Sequence, residues 1–404
     1  MKLSEVKKFF PLFTNHPDLV YLDSAATALK PESVLLAQNQ YYTHFSANTA
    51  RGIYPMAEQA TEAFEKTRTT VASFIGARPE EIIFTSGTTA SLNLVADLLS
   101  SRITAQKNIV VTALEHHSNF LPWKELARKT GATLRTIPIT AQGELDETTL
   151  ATLISNETSV VALSAVSNVL GIINPVKTII QKIRALSSEV IVVVDAAQAI
   201  GHMPVDVTTW DADFVAFSGH KLLGPTGTGI LFGKQSLLET LRPVSFGGGM
   251  VLDACATDTL YKESPACFEA GTQNIAGFIG LGAAIEFIET IGLDTIHAHE
   301  NALALYTIRR LKEEFDEAVH IIGETNPSKK SGIVSFVLEG IHPHDTAQLL
   351  GERNICVRAG LQCASPLHES LHLSASTRIS LSLYNTEDDI EKLIVGLKEV
   401  RSIL

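Results

Sequence analysis

Three residues stand where their side chains invite reactive roles: Lys221, Asp195 and Cys363. Lys221 sits in FSGHKLLGPTGTGILFG (217–233), a glycine-rich turn directly after the apolar run DFVAF. A lysine there is either a solvated surface group, the common case, or an amine delivered at the end of a buried strand. Asp195 ends the apolar part of VVVDAAQAIGH (192–202). A carboxylate in that place is costly unless a cation faces it, although an aspartate also caps a following helix. TSGTTASLNLVADLL (85–99) sets Ser86, Gly87, Thr88 and Thr89 between a strand pattern and a helix pattern. Its N–H groups and hydroxyls suit a phosphate, and they equally suit an ordinary N-cap. Cys363 lies in a polar loop after Gly360, in CVRAGLQCASPLHE (356–369), whereas Cys255, Cys267 and Cys356 read as buried, inert apolar fillers.

Open α/β sheets bind ligands beyond the carboxyl ends of their strands. Lys221 follows the strand after the one that Asp195 ends, which predicts both groups on one edge of the sheet. A phosphate cradle, a strand-end carboxylate and a lysine in a turn, in that order, suit pyridoxal 5′-phosphate. The phosphate needs donors, the protonated ring nitrogen needs a carboxylate, and the aldehyde needs an amine. That cofactor alone permits transamination, racemisation, elimination and sulfur transfer.

The elements that must position these groups are visible as alternating patterns. EIIFT (81–85), NIVVTA (108–113), ATLRTIPI (132–139), SVVALSAV (159–166), EVIVVVDA (189–196), ADFVAFS (212–218) and TGILFG (228–233) read as buried strands. Helical patterns separate them. One places Ala60, Phe64, Thr67, Val71 and Phe74 on one face and stops at Gly76. This alternation predicts a large α/β domain with a mainly parallel sheet flanked by helices. From about residue 276 the texture changes. One long helical stretch (276–317) precedes GIVSFVLEG (332–340), a helix near 344–353, ICVRAG (355–360), TRISLSLYN (377–385) and a final helix. That predicts a smaller α+β domain over 276–404, carrying the cysteine loop, beside a large cofactor-binding domain over 21–275. Residues 1–20 are expected to pack with the small domain.

The 404 residues carry a net charge of −12 and no Lys/Arg-rich run, which argues against nucleic acid or an anionic membrane surface as partner. MKLSEVKKFFPLF lacks the apolar core of a secretory signal, and no stretch offers the roughly 18 apolar residues of a membrane span. The four cysteines show neither CxxC pairs nor a partnering histidine cluster, so neither a metal site nor a disulfide framework is expected, and a cytoplasmic setting is.

The chain resembles the fold-type I pyridoxal-phosphate enzymes of class V aminotransferase type, and within them the cysteine desulfurases of the Suf-type, group II branch. The resemblance runs through YLDSAATALKP (21–31), ARGIY (50–54), SGTTASLNLVA (86–96), EHHSNFLPW (115–123), SNVLGIINP (167–175), VDAAQAIGH (194–202), SGHKLLGPTGTGIL (218–231), FGGGM (246–250), FEAGTQN (268–274) and VRAGLQCASP (357–366). It implies that Lys221 binds the cofactor's aldehyde and moves a proton, that Asp195 pairs with the ring nitrogen, and that Gln198 meets the phenolic oxygen. His116 would stack on the ring and Asn168 would lie near ring and substrate. Thr88, Thr89, Ser218 and His220 would hold the phosphate. Gly271 and Thr272 would reach the phosphate of a neighbouring subunit, which implies a homodimer with shared sites.

The same resemblance makes L-cysteine the substrate, with Cys363 taking its sulfur as a persulfide, alanine leaving, and a small acceptor protein receiving the sulfur for iron–sulfur cluster assembly or another pathway. Arg378 is the expected clamp on the substrate carboxylate, with Arg358 near it or near the thiol; His116 and Arg358 are the candidates for activating that thiol. His117 is expected to be structural. The chain departs from the family where a histidine usually precedes Arg-Gly (Ala50 here) and where RTGHHC becomes RAGLQC, with Ala359, Leu361 and Gln362. A selenocysteine lyase, another class V lyase or aminotransferase, and a sulfur-carrying scaffold without catalysis are the alternatives.

Overall fold

The structure, a computed structural model, describes residues 3–404; Met1 and Lys2, the start of the expected N-terminal segment, lie outside the described residues. The seven strand patterns form one sheet. Its strands are β1 (Ile82–Thr85), β2 (Asn108–Thr112), β3 (Thr133–Ile137), β4 (Thr158–Ser164), β5 (Ile191–Asp195), β6 (Phe214–Ser218) and β7 (Gly229–Gly233). Their spatial order is β1-β7-β6-β5-β4-β2-β3. Neighbours are parallel except at β7, which runs antiparallel to both β6 and β1. β5 and β6 are central and sandwiched, so their sequences are almost continuously apolar rather than alternating. β3 departs from its expected burial: it is one of the two edge strands, and only Ile137 is buried.

Helices cover both faces. In chain order the ones used below are α1 (Glu32–His44), α2 (Pro55–Ile75) and α3 (Thr88–Leu99). α2 buries Ala60, Phe64, Thr67 and Val71, and stops at Gly76, whose φ of +70° supplies the left-handed cap. The single helix expected over 276–317 is two helices, α4 (Ile275–Glu289) and α5 (Leu293–Phe315), bent by 76°. Gly292, at φ +90°, turns the chain between them. α4 is apolar all round and buried against α1 and α2, which is the behaviour of a core helix.

Past α5, four strands form a second sheet: β10 (Val319–Ile322), β11 (Ile333–Leu338), β12 (Arg358–Gly360) and β13 (Ser376–Ser380), in the order β10-β11-β13-β12. Between the sheets runs an exposed hairpin, β8 (Val251–Ala254) and β9 (Thr259–Tyr261). The expected strand over 377–385 ends at Ser380, because Leu381–Asn385 turn into the last helix, α6 (Glu387–Ile403). Val334, Phe336, Ile379, Leu393 and Leu397 share a core separate from that of the large sheet. The N-terminal segment packs on both units. Phe10 is fully buried edge-to-face against Phe287 of α4 and Tyr384, and Lys7 meets Asp389 of α6 at 2.8 Å. Among the described residues no single helix is long and apolar enough to cross a membrane.

Candidate active site

Parallel strands deliver their last residues to one edge. Asp195 ends β5 opposite Ser164 of β4 and Ala216 of β6. Lys221 follows β6 by one tight turn, Gly219–Lys221. Beyond these strand ends lies a cavity of about 290 Å³, at the low end of ligand-sized cavities. Every predicted site residue except Gly271 and Thr272 lines it: Lys221, Asp195, Gln198, His116, Thr88, Thr89, Asn168, Ser218, His220, Arg358, Cys363 and Arg378.

One end of the cavity is an anion cradle. The N-terminus of α3 opens at Gly87, and the Thr88 N–H donates to Ser218 Oγ at 2.8 Å while the two hydroxyls meet at 2.7 Å. A Cβ at Gly87 would come within 3.4 Å of Ser218 Oγ, and one at Gly229 would strike the Gly87 backbone at 2.2 Å. The close approach of β7 to the loop therefore requires glycine at 229, and the φ of +153° favours it at 87. Thr89 is tied to Ser118 through hydroxyls 2.6 Å apart. Burial and the neighbouring Lys221 and Lys30 push His220 down to about 4, so its imidazole is neutral.

The middle of the cavity holds Asp195 and Lys221. Asp195 is buried, accepts from the Ala197 N–H at 2.9 Å, and has its carboxyl pushed up by that burial. Burial lowers Lys221 to about 8, with Asp195 opposing the shift and Arg378 adding to it. His116 is pushed down to about 4 by burial and by Lys221, and its Nδ1 accepts from the Ser118 N–H at 3.1 Å. A ring nitrogen that accepts there leaves any proton on Nε2. Gln198 donates to the Ala25 carbonyl at 2.9 Å, which sets the orientation of its side-chain amide.

The far wall comes from the second sheet. Arg378, buried on β13, donates Nη1 to the Asn168 carbonyl at 2.9 Å and Nη2 to Asp23 at 3.1 Å. Its Nε is buried without a partner among the described residues. Arg358, half-exposed, grips the same Asp23 through Nε and Nη2. Asn168 also donates to the Gln362 carbonyl at 2.8 Å, and the His117 N–H donates to the Cys363 carbonyl at 2.7 Å. His117 Nε2 meets the Ser365 backbone N–H at 3.2 Å, so it caps the short helix that follows the cysteine, a structural task. Cys363 itself is exposed at the cavity wall.

Gly271 and Thr272 lie elsewhere, in a surface depression with Arg51, Arg68 and Glu269. Cys255 is not a buried filler: it sits exposed between β8 and β9, because the hairpin there has no layer above it. Sequence reasoning gave no role to Asp23, Ser118, Ser164 or Glu115. Asp23 and Ser118 stand inside quoted motifs, and Glu115 precedes His116, but only the folded contacts distinguish them. Glu115 is fully enclosed and accepts from Thr112, Asn119 and twice from Ser164, and burial raises it to about 7.

A helix-terminus cradle of hydroxyls, a buried carboxylate beside a half-buried lysine, and a buried guanidinium with an orphaned Nε define a pyridoxal-phosphate type of enzyme site. The family model for class-V aminotransferases matches residues 20–393, and the chain belongs to that family. It is 45% identical over 406 aligned residues to a probable cysteine desulfurase of Halalkalibacterium halodurans, covering 99% of this chain and 98% of that one. It is 42% identical to a cysteine desulfurase of Cronobacter sakazakii, covering 100% and 99%. Among solved structures, an apo cysteine desulfurase from Thermococcus onnurineus NA1 matches with a TM-score of 0.95 at 39% identity, covering 100% of this chain and 99% of that one. A cysteine desulfurase from Escherichia coli, in an S-sulfonic acid form, matches with a TM-score of 0.92 at 35% identity, covering 100% and 99%.

Proposed function

We infer that this protein is a pyridoxal 5′-phosphate-dependent cysteine desulfurase that converts L-cysteine to L-alanine and takes the sulfur onto Cys363. The observation that carries the reading is that one cavity is lined by Lys221, Asp195, Arg378 and the thiol of Cys363. Transamination and simple elimination need the first three and have no use for the fourth.

The residues present fit the cofactor. Thr88, Thr89, Ser218, His220 and the N-terminus of α3 would hold its phosphate, Asp195 its ring nitrogen, Gln198 its phenolic oxygen, His116 its ring face, and Lys221 its aldehyde. When bound, the cofactor supplies an electron sink that acidifies the substrate's Cα–H and accommodates the electrons of the breaking C–S bond. Asp195, enclosed beside Lys221, which partly offsets the upward push of burial on its carboxyl, would hold the proton on that ring nitrogen. Lys221, lowered to about 8, is neutral in about a tenth of molecules at pH 7 and in about half at pH 8, and in that form can take the Cα proton and return it. Arg378 orients the substrate carboxylate with the N–H groups that its bonds to Asn168 and Asp23 leave over. The Cys363 thiolate attacks the substrate's sulfur: an S–S bond forms, the C–S bond breaks, and the electron pair stays with carbon, which gains a proton and leaves as alanine. The enzyme is left with a persulfide.

The subunit arrangement belongs to the same proposal. Gly271 and Thr272 are exposed and outside the cavity of their own chain, which suits donation to the phosphate site of a second copy in a homodimer. Residues 21–275, with the seven-stranded sheet, form the cofactor-binding unit together with α4, which lies in that unit's core although the sequence expectation put it in the small domain; the rest of 276–404, with the second sheet, carries the cysteine loop. Exposure of Cys363 suits delivery of sulfur to a small acceptor protein, for iron–sulfur cluster assembly. Four unpaired cysteines suit a reducing cytoplasm.

The test is alanine and sulfide release from L-cysteine with a reductant present, by wild type and by Cys363→Ala. Equal amounts of both products from wild type, and neither from a variant that keeps its cofactor absorbance, is the expected result. Full turnover by Cys363→Ala would move the protein to the lyases.

A further inference from the structure

The reaction so far gives Gln362 no task, yet its backbone is the least ordinary part of the site. Gln362 and Cys363 are consecutive non-glycine residues at positive φ, +42° and +56°. Side-chain-bearing residues occupy that region only where their surroundings over-determine it. Two backbone contacts contribute, from Asn168 to the Gln362 carbonyl and from His117 to the Cys363 carbonyl. The third restraint is the Gln362 side chain. It is buried between two exposed neighbours, Leu361 and Cys363. Its Nε2 donates to the Ser376 carbonyl at 3.0 Å and its Oε1 accepts from Ser376 Oγ at 3.0 Å.

Both ends of one planar amide are thus pinned to a single residue, which fixes position and rotation together. Ser376 is a firm anchor. It is fully buried at the start of β13, pairs in register with Gly360 of β12, and has His368 Nε2 3.1 Å from its hydroxyl. The strand that carries Arg378 therefore also sets the residue before the nucleophile, two residues away along the same backbone.

We propose that Gln362 is a positioning residue for sulfur transfer, its amide clamped on Ser376 so that the Cys363 thiol stands fixed against the substrate's sulfur. The proposal rests on Cys363 being the sulfur-accepting nucleophile. A glutamine serves here because it has a donor and an acceptor on one rigid plane and no proton to lose across the physiological pH range.

The experiment uses holoenzyme of wild type, Gln362→Leu, Gln362→Gly and Ser376→Ala, each checked for cofactor absorbance and melting temperature. Two quantities are read: steady-state turnover of L-cysteine, and alkylation of Cys363 by iodoacetamide, scaled by peptide mass spectrometry to that of exposed Cys255. For Gln362→Leu the expected result is a fall in kcat of about tenfold, KM within about twofold, and a rise of about threefold in the Cys363 to Cys255 labelling ratio. Gln362→Gly should match it, although glycine takes the positive φ without strain. Ser376→Ala, which removes half the clamp, should change in the same sense by less, and it decides the matter if Gln362→Leu fails to fold. Wild-type kcat and labelling in these variants would overturn the proposal, as would their recovery in Gln362→Gly, since backbone conformation alone would then suffice. If Cys363→Ala keeps its turnover, it is the desulfurase reading that fails, and the labelling ratio still reports on the clamp.

Discussion

Asp23 accepts from the buried guanidinium of Arg378 at 3.1 Å and makes the one ion pair that this arginine has among the described residues. The same carboxylate meets Arg358 at 2.9 Å, so a single acid serves two cations on the substrate side of the cavity. Removing one partner of a buried pair leaves a charge without compensation. Asp23→Ala should therefore lose about 2–4 kcal/mol of stability, while Asp23→Asn, which still accepts a hydrogen bond, should lose less. Thermal melts of the two variants side by side check this. Equal melting temperatures for Asp23→Ala and wild type would show that Arg378 is well enough solvated to stand alone.

Arg378→Lys keeps the charge and loses the planar fork. Nη1 and Nη2 are already engaged by Asn168 and Asp23, so a single ammonium cannot hold both partners and a substrate carboxylate. KM for L-cysteine should rise by about tenfold or more with the cofactor absorbance unchanged. An unchanged KM would place the carboxylate on Arg358 instead.

Glu115 has its carboxylate filled by four donors from three elements, including the Ser164 backbone N–H at 2.9 Å and Asn119 at 2.6 Å. In Glu115→Gln one acceptor oxygen becomes an amide donor facing those N–H groups. At pH 8, where the wild-type carboxyl (raised to about 7) is ionised, the variant should be about 1–3 kcal/mol less stable. Denaturant unfolding at that pH reads the difference.

Lys330 gives a pH dependence with a definite sign. It is fully buried, donates to the Leu170 carbonyl at 2.6 Å, and burial pushes it down to about 8. Below about pH 8 the amine is charged in both folded and unfolded chains and folding bears the whole desolvation cost. That cost disappears as pH rises towards about 10.4, the value for an unfolded lysine. Wild type should thus gain up to about 3 kcal/mol relative to Lys330→Met across that window. A difference that stays constant between pH 7 and 10 would mean that the buried amine is not shifted.

Gly171 joins the two sheets. At φ +66°, a Cβ there would meet the Ile333 carbonyl at 2.5 Å and Ile333 Cβ at 2.9 Å, both on β11. Gly171→Ala should cost on the order of 3 kcal/mol, from overpacking and the left-handed backbone together. A lowered melting temperature is the readout.

Local sequence alone determined the seven strands of the large sheet, the stop of α2 at Gly76, and the placing of Asp195 and Lys221 on one edge. Each depends on side-chain periodicity or on a backbone preference that acts within a few residues. The family pattern added roles for the residues lining the cavity. What the sequence could not decide were features set by distant partners. β3 looks buried by composition and is an edge strand, because burial depends on what lies beside it. The 276–317 stretch is helical throughout by period, yet Gly292 breaks it so that α4 can fill the core between α1 and α2. Asp23, Gln362 and Ser376 carry ordinary polar side chains in sequence. Only folding brings Asp23 to Arg378 across 355 residues and lays Gln362 against Ser376. Polar contacts of that kind are specified by geometry in three dimensions, which a one-dimensional pattern does not contain.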